Sequence, residues 1–210
     1  MNITSLRPKF IKNTEPIAHL FIRLGITPNQ VSMLSVLFGI LCALAFFRRY
    51  FLLGSLLLVV SAVLDLVDGN VARTNNSETR FGAAFDWIAD KYVDAAAILG
   101  VGFSGIPIIS HLIALPALAD FGVVAVALFG SMINTFIKPV VYAEIGYQER
   151  IEGKIDDPLE GIGFFGRPET VLFLVLGGLT GFIWISIIII AVCTNLSAIQ
   201  RILYLYRRFS

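Results

Sequence analysis

Five aspartates stand between positions 65 and 94 of an otherwise apolar chain: Asp65, Asp68, Asp86, Asp90 and Asp94. Asp65, Asp68, Gly69 and Ala72 recur at i, i+3, i+4 and i+7, which is one face of a helix. Gly82, Asp86 and Asp90 recur at i, i+4 and i+8, again one face, and Asp94 extends it by a turn. Two such helices joined through residues 73–80 would pack antiparallel and oppose these faces. The first four aspartates would then form one carboxylate cluster beside small residues. Carboxylate oxygens without His or Cys select Mg²⁺, Mn²⁺ or Ca²⁺. A cluster of this size holds one or two such ions, which suits phosphate or diphosphate chemistry. Gly69, Ala72 and Gly82 leave room for a ligand to approach the backbone, and Arg73 and Arg80 offer planar donors to phosphate. Pairing of the acids with Arg73, Arg80 and Lys91 as interhelical glue would explain neither their number nor the glycines. For Asp94, a pairing role is the expectation.

The elements that must carry these residues are membrane helices. Of 210 residues, 57% are hydrophobic and 15% charged, with mean hydropathy +0.82. That excludes an ordinary soluble domain, a disordered chain and a disulfide scaffold. A net charge of +1 argues against nucleic acid as a partner. Cys42 and Cys193 lie in apolar runs and act as small hydrophobes, and His19 and His111 are isolated, so no His or Cys metal site can be built. Insertion scales charge about 2.5–3.5 kcal/mol for an aspartate in a span, so four facing lipid would cost on the order of 10 kcal/mol. They must face a protein-lined, wet or metal-filled cavity.

The charge-free runs give the spans. They are expected near 29–47, with Thr27 as N-cap and Pro28 in the first turn; from Phe51 through Asp65 and Asp68; from Arg80 to about Gly102; from 118 to 138 or beyond; and at 167–181 and 184–207, divided by the turn residues around Gly177–Gly181. Residues 103–117 read as a connection with a short re-entrant helix. Residues 146–166 are a polar island. Residues 1–23 mix cations and apolar side chains without a cleavable signal pattern, and suit an amphipathic helix on the membrane surface. The expected fold is an all-α polytopic membrane protein: a juxtamembrane amphipathic segment over 1–27, then a six-helix transmembrane domain over 28–210. Lys and Arg concentrate on the termini, the 2–3 connection and the 4–5 loop, which puts both termini and the aspartates on the cytoplasmic side. Arg48 and Arg49, on the 1–2 turn, are the exception.

The run Asp65-Leu-Val-Asp68-Gly69-Asn-Val-Ala72-Arg73, eight residues, then Gly82, Asp86 and Asp90 resembles the signature of the CDP-alcohol phosphotransferases, DxxDGxxAR followed by GxxxDxxxD. All eight fixed positions match. The resemblance implies a reaction in which a CDP-linked alcohol gives its substituted phosphate to the hydroxyl of a second alcohol and CMP leaves. It implies that Asp65, Asp68 and Asp86, with Asp90 adjoining, bind Mg²⁺ or Mn²⁺, and that Asp90 is the general base. It further implies that Asp68, Gly69, Ala72, Arg73 and Gly82 bind the nucleotide. A homodimer in a prokaryotic cell membrane is expected from the resemblance alone.

The acceptor pocket should use cations outside this signature. Lys138, Arg167 and Arg201 interrupt or border apolar runs at one membrane level, and three converging cations suit an acceptor that carries phosphate, such as inositol phosphate or glycerol phosphate. The segments resemble the branch of the family that makes phosphatidyl- or archaetidylinositol phosphate, though Thr170 stands where that branch has a second Arg. The partners so implied are a CDP-diacylglycerol or CDP-archaeol donor in membrane lipid and a small polar alcohol. Transfer from CDP-inositol to inositol phosphate is the alternative within the family. An intramembrane prenyltransferase and a cation transporter are the alternatives outside it. Gly161-Ile-Gly163-Phe-Phe-Gly166 fits GxGxxG, but without a βαβ context it reads as a flexible loop.

Overall fold

The computed structural model describes residues 7–75, 77–146, 148–151, 154–156, 159 and 161–209. Among these residues the chain forms seven helices, α1 Arg7–Arg23, α2 Pro28–Phe47, α3 Phe51–Thr74, α4 Arg80–Phe103, α5 Ala117–Glu144, α6 Arg167–Thr180 and α7 Ile183–Phe209, with one short antiparallel hairpin, β1 Gln148–Ile151 and β2 Lys154–Asp156. The hairpin falls in the polar island and is the one departure from an all-helical fold. Four helices, α2, α3, α5 and α7, are long and apolar enough to cross a membrane. The 24-residue α4 has the length, but Asp86, Asp90, Lys91 and Asp94 interrupt its apolar run. The 14 residues of α6 rise about 21 Å at 1.5 Å per residue, less than a hydrocarbon core of about 30 Å.

Local rules account for the helix ends that position the site. Thr27 caps α2 in a capping box with Gln30, and Pro28 supplies the fixed φ of the first turn. Thr79 caps α4 by accepting from the Gly82 N–H at 2.9 Å. At the C-terminus of α6 the left-handed Gly181 turns the chain into α7.

Packing follows the logic of a lipid solvent. Leu37, Ile40, Leu44, Leu53, Ile199 and Leu203 point outward, while Ser35, Ser55, Ser61, Thr194 and Ser197 are buried between helices. Small residues let backbones approach, and some of their hydroxyls bond across helices. Ser35 and Ser61 exchange hydroxyl-to-carbonyl bonds at 2.9 and 2.8 Å, clamping α2 on α3. A Cβ at Gly100 would collide with the Ala43 backbone, so glycine there sets the α2–α4 distance. The main apolar cluster, which includes Phe46, Leu58, Ile98, Val124, Leu174 and Ile187, draws on α2 to α7.

The structure corrects or explains three sequence expectations. Residues 104–116 form turns with no re-entrant helix. Buried Asp120 accepts from the Ile108 and Ser110 backbone N–H groups, each at 2.9 Å, and from the Ser110 hydroxyl at 2.6 Å. Donors that a helix would use along its own axis are drawn across to α5 instead. Arg49, an exception to the expected charge pattern, caps α4: its Nε donates to the Ser104 carbonyl at 2.8 Å. The segment expected to lie on the membrane surface is helical as α1 and packs on the bundle: Ala18 is buried in a cluster with Val31, Leu64, Val67 and Val71, and Asn70 Nδ2 on α3 donates to Thr14 Oγ1 at 2.6 Å.

Candidate active site

Helices α3 and α4 bring their acidic faces together as the spacing predicts. Carboxylate oxygens of Asp65, Asp86 and Asp90 lie within 4.8 Å of one another, each half-buried. Hard oxygens at this separation fit a divalent cation. Asp68, also expected in this cluster, stands outside that group of three. Its carboxylate accepts a short hydrogen bond from the Ser32 hydroxyl of α2. Three residues advance a helix by about 300°, so Asp68 is turned some 60° from Asp65, toward α2.

Asp68 instead lines a polar cavity of about 260 Å³ whose walls include Asn29, Ser32, Gly69, Ala72, Arg73, Thr79, Arg80, Gly82 and Asp86. Every residue expected to bind the nucleotide is on this wall, and Asp86 belongs both to it and to the carboxylate group. The N-terminus of α4 opens onto it, bringing the positive end of a helix dipole, which favours phosphate. Arg73 is held by Asn70, whose Oδ1 accepts from its Nη2 at 2.8 Å. Because Asn70 is itself bonded to Thr14, α1 is coupled to the cavity wall. Asn29, Ser32, Thr79 and Asn70 were missed in the sequence. Thr79 carried a signal, an N-cap residue before Gly82; the others are exposed as site residues only by packing.

The acceptor cations are arranged differently from the expected convergent pocket. Arg167, the first residue of α6, enters the carboxylate group itself: Nη1 is 2.8 Å from Asp65 Oδ2 and Nη2 is 2.7 Å from Asp90 Oδ1. Asp94 pairs with Lys91 at 2.6 Å, as expected of a pairing residue, and its other oxygen is 3.5 Å from Arg167 Nε. Buried Arg201 of α7 donates to backbone carbonyls, through Nε to Ile162 at 3.0 Å and through Nη1 to Asn134. Lys138, half-buried, stands one turn along α5 from Asn134.

The loop before α6 is pinned where flexibility was expected. Asn134 Nδ2 donates to the Phe165 carbonyl at 2.7 Å, and Ser197 Oγ accepts from the Phe165 N–H at 3.4 Å. Gly163 has φ +100, and a Cβ there would strike Arg201 and Ser197, so glycine permits both the turn and the approach. Of the three glycines in the GxGxxG spacing, Gly163 is the one that packs against α7, and the loop fixes the backbone from which Arg167 extends.

Apolar helices thus place a carboxylate group beside a polar cavity, an arrangement that suits metal-dependent phosphate-transfer chemistry in a membrane. The chain belongs to the CDP-alcohol phosphatidyltransferase family, whose profile matches residues 25–199. It is 26% identical over 200 residues to an archaetidylinositol phosphate synthase of Pyrococcus horikoshii, covering 95% of this chain and 94% of that protein. It is 29% identical over 191 residues to a bifunctional IPC transferase and DIPP synthase of Aquifex aeolicus, covering 87% of this chain and 39% of that longer protein. A phosphatidylinositol phosphate synthase of Mycobacteroides abscessus is 33% identical over 96 residues, 45% of this chain and 44% of that one. The fold is that of Mycobacterium tuberculosis phosphatidylinositol phosphate synthase. The crystal structure of that protein with manganese and citrate superposes with TM-score 0.73 at 22% identity, covering 92% of this chain and 88% of that chain. Its complex with CDP-DAG gives the same score over 92% and 93%.

Proposed function

We propose that this chain transfers a substituted phosphate from CDP-diacylglycerol or CDP-archaeol to a hydroxyl of a phosphorylated polyol, inositol phosphate or glycerol phosphate, and releases CMP. The observation that carries the reading is the continuity of the Asp65–Asp86–Asp90 group with the polar cavity through Asp86. Asp65, Asp68, Asp86 and Asp90 are the proposed ligands of Mg²⁺ or Mn²⁺. When bound, the cation would neutralise the diphosphate and stabilise the departing CMP. Asp68, Gly69, Ala72, Arg73 and Gly82 cradle the nucleotide, with the α4 N-terminus and Arg73 facing its phosphates. Asp90 takes the proton of the attacking hydroxyl as the new O–P bond forms and the bond to CMP breaks. Lys138, Arg167 and Arg201 surround the acceptor, Arg201 chiefly by holding the loop that carries Arg167.

In this reading α4 and α6 complete a set of six spans, with residues 28–210 as the transmembrane domain and 1–27 as a juxtamembrane segment. Both termini and the site face the cytoplasm of a prokaryotic cell, and the protein is a homodimer. The capping role of Arg49 supports this orientation, because it gives that cation a structural reason to stand on the opposite side.

The test is incubation of the purified protein with Mg²⁺ or Mn²⁺ and either CDP-lipid, with serine, glycerol phosphate, inositol and inositol phosphate as acceptors. CMP release with a phosphorylated acceptor and none with serine is expected. Release with serine alone refutes the cationic pocket, and release from CDP-inositol without lipid product would favour the soluble reaction.

Gly69→Ala tests the nucleotide wall. The nearest atoms that a Cβ at Gly69 would meet are those of the Arg73 guanidinium, at 3.5 Å, an ordinary contact. The fold should tolerate it, with an unchanged melting temperature. A methyl added to a fitted wall is worth about 1–3 kcal/mol, so KM for the CDP-lipid should rise at least about tenfold. Donor titrations beside thermal melts check this.

A further inference from the structure

Arg167 presents each of its guanidinium nitrogens to a different carboxylate. Two of these, Asp65 and Asp90, belong to the group that fits a divalent cation. The third, Asp94, does not. It is 1% exposed, and Lys91 holds its Oδ2 at 2.6 Å. Its Oδ1 and the Arg167 Nε face each other at 3.5 Å, and among the described residues both are buried without a hydrogen-bond partner. Buried donors and acceptors rarely stay unmatched, and a shift of about half an ångström would join these two at ordinary N–H···O distance. The backbone at Arg167 is fixed by the pinned loop and by the Glu169 cap on Gly166, so the side chain supplies the movement.

We propose that Arg167 is a displaceable counter-ion, and that Asp94 is the positioning residue that receives it. This rests on the reading of Asp65, Asp86 and Asp90 as metal ligands. The guanidinium holds Asp65 and Asp90 against their mutual repulsion. A divalent cation entering the same carboxylates repels it across a gap of a few ångströms of poorly screened space. The guanidinium closes onto Asp94 Oδ1 through Nε, keeping a buried partner, and its Nη1 and Nη2 are released toward the site where an acceptor phosphate would lie. Metal entry and formation of the acceptor pocket are then one coupled event. Asp94 stands outside the family signature, which accounts for a role toward Arg167 and not toward the metal.

The test is Mn²⁺ titration of the full chain in detergent without substrate, with free Mn²⁺ read by electron paramagnetic resonance. Arg167→Gln should bind Mn²⁺ about tenfold more tightly than wild type, because a competing cation is gone. Asp94→Asn should weaken binding about threefold or more when Arg167 is present, and leave it unchanged in the Arg167→Gln background. Unchanged or weaker binding by Arg167→Gln overturns the proposal, as does an Asp94→Asn effect of equal size in both backgrounds, which a merely structural role would produce. If Arg167→Gln does not fold, Arg167→Met, which likewise removes the charge, decides by the same titration: tightening supports the proposal and its absence overturns it. Failure of the wild type to bind Mn²⁺ at all would instead remove the metal reading, and the exchange with it.

Discussion

Asp90→Asn is expected to lower CMP release by about 10²–10⁴-fold, the usual contribution of a positioned general base, with CDP-lipid binding retained at saturating Mn²⁺. The amide keeps the shape of the carboxylate and can still accept one hydrogen bond, but it cannot take a proton. Asp90 is suited to the role because it belongs to the carboxylate group without lining the cavity as Asp86 does, and because it faces Arg167, a proposed acceptor-binding residue. The measurement is a single-turnover CMP assay alongside equilibrium binding of the donor. Near-normal turnover would remove Asp90 from the chemistry; loss of donor binding in proportion to rate would make it a ligand only.

The second large effect is on metal. Chelation with EDTA should abolish CMP release, and Mn²⁺ or Mg²⁺ should restore it. Asp86→Asn should lower activity by three orders of magnitude or more, partly recovered at high metal concentration. Asp86 is singled out because it alone is shared by the carboxylate group and the cavity wall. In the proposed reading its loss would remove a metal ligand and also part of the nucleotide cavity wall. Isothermal titration with Mn²⁺ and activity across a metal series separate these effects. Full activity in EDTA would sink the metal reading, and an Asp86→Asn enzyme that saturates with metal at wild-type concentrations yet stays inactive would assign Asp86 to the nucleotide alone.

The carboxylate group was legible because its signal is short-range. Asp65, Asp68 and Gly69, or Gly82, Asp86 and Asp90, are brought to one face by the helix period itself, and the high free energy of a charge in lipid turns those faces inward. The same locality made the start of α2 readable from Thr27 and Pro28 and the end of α6 from its glycines. Family membership follows from the same stretch of sequence.

What tertiary structure decided are the pairings between distant segments. Asp68 belongs to the cavity and Ser32 because α2 packs there, 36 residues away in sequence. Arg167 reaches Asp65 across a separation of 102 residues. Arg201 secures a loop and Asp120 replaces a helix with turns because buried backbone groups must find partners where neighbouring helices place them. The sequence determined which residues could carry metal and nucleotide chemistry, since helix period and membrane energetics act locally. Only the tertiary structure decided which cation meets which carboxylate, because that depends on contacts that no local rule encodes.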